Sequence, residues 1–436
     1  MTRRRVTFFK KFPCKKTPTI FKQKTLAKNG SYDIIRLEKN IARKRIMYSL
    51  LLVFIYIAFV GLGLPDSLLG SAWPVIQGEL GVPLSYAGIV TMIISFGTVI
   101  SSLLSDKIIK KFSAGLVTTV SVLTTAIALF GFSISKSFVM LCLWAIPYGL
   151  GAGAVDAALN NYVSVHYSSR HMSWLHAFWG VGAAISPYIM SYCLVGGFGW
   201  NNGYFSVSVI QIVITVMLFC SLPIWKKKAE AESNDSTENA PELTFVQKLR
   251  IPGVFQILLL FFAYCALEQT AGLWASSYLV NYRGVDADTA AAFASMYFIG
   301  ITLGRFLCGF VADRLGDKML IRIGIAVSAI GVVMIALPLG TNILALAGLI
   351  VAGVGSAPIY PSGIHSTPAN FGKANSQAII GLQMAFAYIG TTLMPPLFGL
   401  IATHISIALY PFYLLAFSVI MVIASESLNK IMKKKK

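Results

Sequence analysis

The sequence predicts an all-α integral membrane protein of about twelve transmembrane helices, arranged as two six-helix pseudo-symmetric halves. Three observations carry this expectation. Of the 436 residues, 56% are hydrophobic and 12% charged, against about 25% charge in an ordinary globular domain. From Met47 onward the chain falls into apolar blocks of the ~20 residues a membrane span requires. One long hydrophilic interruption, 225–252, divides those blocks six and six. A mean hydropathy of +0.71 exceeds what a folded core could hide, so lipid must solvate much of the apolar surface. A secreted disulfide scaffold, a disordered chain and a cytosolic enzyme are excluded.

Residues 1–47 read as a basic cytoplasmic tail. Fifteen Lys and Arg precede Met47 against Asp33 and Glu38. Met47 stands directly before the first apolar block, so an upstream misreading of the start codon is the other expectation for this stretch. It is Lys-rich with a single Ser, unlike an organellar transit peptide, and shows no signal-peptide core. The N-terminal half, 48–224, contains spans near 48–73, 86–104, 113–133, 138–165, 172–195 and 203–224. A charged cytoplasmic linker follows at 225–252. The C-terminal half, 253–425, contains spans near 253–281, 288–310, 319–338, 342–365, 374–402 and 405–425. Residues 426–436 form a second basic tail.

Charge placement gives the orientation. With both termini cytoplasmic, the inner segments carry 33 of the 36 Lys and Arg; the outer loops hold only Lys136 and Arg283, and Arg305 lies within a span. This bias predicts a multi-pass protein of the plasma membrane with both termini inside. The net charge of +19 therefore points to anionic headgroups and topology rather than to nucleic acid. The scattered cysteines lack CxxC spacing and the five histidines lack metal-ligand spacing, so no metal is expected.

Internal symmetry appears at three places. Ser102-Leu-Leu-Ser-Asp106-Lys107 is matched 207 residues later by Gly309-Phe-Val-Ala-Asp313-Arg314-Leu-Gly316. The acids Asp66 and Glu268, and the pairs Gly151/Gly153 and Gly353/Gly355, repeat at 202. Two parallel six-span halves are one of the known transporter repeat arrangements. The Gly-x-x-x-Asp-Arg-x-Gly pattern has its own logic. Its acid can face the positive N-terminus of a neighbouring helix, so Asp106, Lys107, Gly309, Asp313, Arg314 and Gly316 are expected to form conformational latches between the halves.

Inside the spans, Asp66, Asp156 and Glu268 stand out. A carboxylate at a helix centre costs ~2.5–3.5 kcal/mol on insertion scales, so each is expected to face a cavity or a partner. Asp156 and Asn160 are four apart and share a helix face, an acid-plus-amide arrangement suited to a polyhydroxylated ligand. Gly61-Leu-Gly63-Leu-Pro65-Asp66 is expected to break the first span at its acid, exposing backbone to a cavity. Arg305 joins this substrate and proton-coupling set. Trp73, Trp179, Trp274 and His176 are candidates for stacking on a sugar ring.

Pro65-Asp66-Ser-Leu-Leu-Gly-Ser-Ala-Trp73-Pro74, the run Gly149 to Asn161, Leu175-His176-Ala-Phe178-Trp179-Gly180 and Tyr264-Cys-Ala-Leu-Glu268 resemble the fucose permease-like branch of the major facilitator superfamily. The likeness covers residues 48–425. It implies a sugar symporter driven by protons, or by sodium in some animal relatives. By resemblance Asp66 falls on the first-span acid implicated in substrate recognition and coupling, and Asp156 falls where a glutamate is linked to protonation. The expected function is secondary active transport of a small polar solute, a sugar, by alternating access and proton symport. No cofactor is expected beyond the coupling proton. Partners are a small-molecule substrate and membrane lipids, with a monomer sufficient. Drug or metabolite efflux by proton antiport is the alternative, on the partial antiporter element Gly182-Ala-Ala-Ile-Ser186-Pro187. A non-transporting sensor or scaffold that uses the basic tail is the third reading. An enzyme is not expected, because no nucleotide, metal or nucleophile motif accompanies the acids.

Overall fold

A computed structural model describes residues 30–83, 85–233, 244–338 and 342–435. Most of the basic tail and the centre of the charged linker lie outside the described residues. Residues 51–436 form one compact unit, apart from residues 1–50.

The chain runs α1 (Gly30–Gly63), α2 (Leu68–Leu80), α3 (Tyr86–Phe112), α4 (Ala114–Ser133), α5 (Phe138–His166), α6 (Ser169–Val195) and α7 (Gly199–Ser233). A six-residue α8 (Phe245–Arg250) precedes α9 (Val254–Asn281), α10 (Ala287–Leu315) and α11 (Asp317–Ala336). Then come α12 (Ile343–Ser356), α13 (Ile359–His365), α14 (Thr367–Phe371), α15 (Lys373–Ile401) and α16 (Tyr410–Lys435). Only helices and turns occur among the described residues, as the hydrocarbon demands: without water, each backbone N–H and C=O must be paired within its own segment.

Two spans are interrupted. The first breaks into a 3-10 turn over Leu64–Ser67, where Pro65 enters at the first turn and Asp66 follows it. This is the break expected from Gly63-Leu-Pro65. The tenth is divided between α12 and α13 at Ala357-Pro358. Conversely, the last two expected spans run on as one helical stretch of 63 residues, Lys373–Lys435. They join through a π-turn at Ala402–Ser406 and a 3-10 turn at Ile407–Leu409. At ~1.5 Å per residue such a stretch is long enough for two crossings. This accounts for the 11 continuous apolar stretches found among the described residues where twelve spans were expected.

Packing is dense within each half. Helix α5 lies against α3 and α4, and α4 against α7; α12 lies against α10 and α11, and α9 against α15 and α16. Between halves the main contacts are α3 with α15 and α6 with α10.

These contacts correct the internal register. Gly149 leaves room for the Ile94 backbone and Gly353 for that of Tyr297; Gly151 meets Ser121 and Thr125, and Gly355 meets Ser328. The repeat is therefore 203–204 residues, not the 202 or 207 read from the sequence. The corners agree: α3 and α4 join at Ser113 (φ 72°, ψ 153°), α10 and α11 at Gly316 (φ 74°, ψ 158°). Asp106 thus sits one helical turn before the true counterpart of Asp313, which is Lys110.

Ser113 carries a backbone conformation that is essentially restricted to glycine and costs a side-chain-bearing residue of order 1–3 kcal/mol. Ser113→Gly is expected to stabilise the protein by about 1 kcal/mol, and Ser113→Val to destabilise it by at least as much. Thermal unfolding midpoints in detergent check both; a lower midpoint for Ser113→Gly would contradict the strain.

A candidate substrate cleft between the halves

A cleft of about 1140 Å³ is lined from both halves, with Asp66, Asp156, His176 and Trp179 on one side and Glu268, Gln269, Arg305 and Tyr360 on the other. It reaches from buried groups such as Asp156 out to the exposed Met92, Tyr188 and Leu273. Its volume is somewhat above the ~300–1,000 Å³ of ordinary small-molecule pockets, so a small solute fits with room for water.

Asp66 is held at the helix break and open to the cleft. Its Oδ1 accepts from the Tyr148 hydroxyl at 3.0 Å and its Oδ2 from the Trp179 indole N–H at 2.9 Å. Asp156, on the buried face of α5, is reached by its own helix. Asn160 Nδ2 donates to Asp156 Oδ1 at 2.7 Å, and Asn160 Oδ1 accepts from His176 Nε2 at 2.9 Å. The amide thus joins a carboxylate to an imidazole in one chain of hydrogen bonds, and Tyr360 meets the His176 ring edge-on at 5.1 Å.

In the other half Glu268 and Arg305 neutralise each other. Arg305 Nη2 donates to Glu268 Oε1 at 3.1 Å and to the Tyr264 hydroxyl at 3.2 Å. Tyr264 and Glu268 lie four apart on α9, one above the other. Arg305 is 3% exposed, so it is an interior charge rather than a residue snorkelling to the interface. Its guanidinium lies 5.7 Å from the Trp179 ring centroid, and its Nε has no hydrogen-bond partner among the described residues.

The structure therefore brings together Asp66, Asp156, Asn160, Glu268, Arg305, His176 and Trp179. It does not bring Trp73 or Trp274 to them. Trp73 is buried in a cluster of the N-terminal half against Phe138. Trp274 donates to the Pro395 carbonyl and packs on Phe398. The aromatic wall is made instead by Tyr148, Tyr204, Tyr360 and Tyr388, none singled out from the sequence. Tyr148 precedes Asp156 by eight residues, two turns up the same face, which is the one signal that pointed to it. Among the described residues no group of three His, Cys, Asp or Glu is placed to hold a metal ion.

The far end of the cleft is closed by a seam. Ser376 donates to Asn161 at 2.6 Å and Gln377 to Ser105 at 3.3 Å, both across the halves. Gly381 lets α15 approach the Ser102 carbonyl of α3 so closely that a Cβ would collide with it. Asp313 accepts from the Arg170 backbone N–H at 3.2 Å and from Ser168, while Asp317 accepts from Ser169 at 2.6 Å and pairs with His365 at 2.8 Å. Two C-terminal-half carboxylates thus sit on the N-terminus of α6, where the helix dipole favours them. Asp106 behaves otherwise: it pairs with Lys110 at 3.2 Å and with Lys248 of α8 at 3.3 Å. Gly309 leaves room for the Trp174 indole, and Gly316 supplies the corner. Among the described residues, no hydrogen bond or ion pair of Lys107 or Arg314 joins this seam.

A membrane bundle of two halves around a central charged cleft is the architecture of a transporter. The family model of the Major Facilitator Superfamily matches residues 55–294 and 257–425, and the chain belongs to that superfamily. It is 24% identical over 290 residues to Bypass of stop codon protein 6 of Saccharomyces cerevisiae, covering 59% of this chain and 56% of that protein. Thus it spans little more than half the length of that relative. The cis,cis-muconate transport protein of Acinetobacter baylyi is 24% identical, over 82% of this chain and 88% of its own. The glucose/mannose transporter GlcP of Bacillus subtilis is 25% identical, over 59% and 65%. Among solved structures, the proton:xylose symporter XylE bound to 6-bromo-6-deoxy-D-glucose superposes with a TM-score of 0.72 at 13% identity, covering 88% of this chain and 96% of that one. The Escherichia coli fucose:proton symporter FucP gives 0.66 at 16%, covering 87% and 99%. At these identities the structural likeness is one of fold.

Removing one member of a buried ion pair leaves the other uncompensated. Arg305→Ala is expected to lower stability by about 3–5 kcal/mol, and adding Glu268→Gln to recover much of that loss. A double-mutant cycle on thermal or denaturant unfolding measures it; additive losses would show that the pair is not coupled.

Proposed function

We propose that this superfamily transporter takes up a small polar solute, a sugar, by proton symport across the plasma membrane. The carrying observation is Asp66, a carboxylate set at a helix break, open to a cleft between two halves and held, among the described residues, by two neutral donors. Such a group can exchange a proton with the cleft and accept a hydroxyl from a ligand in the same place. Asp156, tied through Asn160 to His176, is the second protonation group, and the Glu268–Arg305 pair offers a charge of each sign to ligand hydroxyls. Tyr204, Tyr360 and Tyr388 supply apolar faces and hydroxyls for a sugar ring.

In this reading the seam of Ser105, Asn161, Ser376 and Gln377 is the closed cytoplasmic gate, both termini are cytoplasmic, and the cleft faces outward. The Lys and Arg bias supports that orientation. Asp313 and Asp317 act as latches on α6 that release when the halves rock. Relatives and fold neighbours whose names specify glucose, mannose, xylose and fucose support the sugar class. A small carboxylate is the second reading, favoured by the unpaired Arg305 Nε in the cleft wall and by the muconate transport protein among the relatives.

The test is current and uptake by protein reconstituted in liposomes, with a panel of sugars and cis,cis-muconate applied under a pH gradient. A sugar-evoked inward current that needs the proton gradient and vanishes in Asp66→Asn is expected. Silence with every sugar, in protein shown to be folded, overturns the reading; a response to muconate alone selects the second.

A further inference from the structure

Trp179 touches charged groups of both halves at once. Its indole N–H donates to Asp66, carried on the turn between α1 and α2. Its ring faces the guanidinium of Arg305 on α10 at 5.7 Å, inside the ~6 Å range of a cation–π contact. Arg305 in turn holds Glu268 and Tyr264 on α9. Gly180, the next residue, allows α6 to close on Thr302 of α10, so the tryptophan is mounted on the contact between the halves. The other titratable groups that face Asp66 are Tyr148 and Asp156 on α5 and Tyr388 on α15. Among the described residues, no other side chain has a hydrogen bond, ion pair or ring contact with both Asp66 and Arg305.

The two contacts respond differently to a proton. An ionised Asp66 accepts the indole N–H in a charge-assisted hydrogen bond, and a neutral carboxyl is a weaker acceptor. When Asp66 takes up one proton, the indole keeps its own, but the force that fixes its orientation falls. The ring face presented to Arg305 depends on that orientation. We propose that Trp179 is a positioning residue that passes the protonation state of Asp66 to the Arg305–Glu268 pair, so that loading of the proton in one half alters the charged groups offered to substrate by the other. This inference rests on the symport reading above and names the residue through which its two ligands communicate. One face of Trp179 is therefore committed to Arg305 and not to a sugar ring.

Trp179→Phe separates the contacts, keeping a ring for Arg305 and deleting the N–H. Proteoliposomes report proton-driven accumulation, sugar counterflow without a gradient, and the pH profile of KM. For Trp179→Phe, counterflow should remain measurable, accumulation should fall about tenfold, and KM should lose its pH dependence, as removal of one hydrogen bond to a charged group predicts. Wild-type accumulation and pH profile retained in Trp179→Phe overturn the proposal. Loss of counterflow together with accumulation also overturns it, assigning Trp179 to substrate contact or to structure. Wild-type protein that transports sugar without proton dependence overturns the symport reading itself, a result distinguishable because it precedes any variant. Where Trp179→Phe does not fold, tryptophan emission carries the test. A pH-dependent change in the wild type that disappears in Asp66→Asn is expected, and a change that persists there, or none in the wild type, overturns the proposal.

Discussion

An ionised side chain in the hydrocarbon region is tolerated only with a partner or with water, and this constraint organises the interior of the molecule. Asp66, Asp156, Glu268 and Arg305 belong to four different helical segments, and each must be brought out of contact with lipid. Packing two six-helix halves face to face does this for all four. Asp66 meets two donors at the cleft; Asp156 meets Asn160; Glu268 and Arg305 meet each other. The cleft exists where it does because the polar groups of both halves share it.

The opposite need operates at the closed end. There the halves meet through small and neutral polar residues. Ser102, Ser105, Ser376 and Gly381 bring α3 and α15 into backbone contact. Association in lipid relies on such close packing and modest hydrogen bonds, because apolar side chains gain nothing there by leaving hydrocarbon. Carboxylates on the α6 N-terminus add charge–dipole attraction.

Much of this was legible in the sequence. Hydropathy marked the apolar blocks, since lipid replaces water as their solvent, but it also set a boundary near 402–405 where the helical stretch Lys373–Lys435 runs on; Pro65 after two glycines marked the broken helix. The central acids were legible because lipid makes each one anomalous. Aromatic placement was not: Trp73 follows Asp66 by seven residues, yet α2 turns it into the packing around Phe138 rather than into the cleft. The tyrosines escaped notice because Tyr is unremarkable in a membrane sequence until a neighbouring helix brings a carboxylate to its hydroxyl. Repeat register failed for a related reason. Matching Asp106 to Asp313 aligns chemistry, whereas the corners at Ser113 and Gly316 align the backbone, and a helix can shift its acid by one turn without changing its path.

In the proposed cycle the seam would also affect how strongly a solute is held on the two faces of the membrane. A binding site that is reachable from one side in only a fraction of the molecules has its apparent affinity from that side reduced by the same fraction. Under the alternating access proposed above, contacts such as Asn161–Ser376 and Gly381 against Ser102 would stabilise the form whose cleft opens at the other end and lower the fraction reachable through the seam. One set of cleft residues would then present a tighter site to one compartment than to the other. Exchanging a single small residue in the seam would change that ratio without altering any atom that touches the solute.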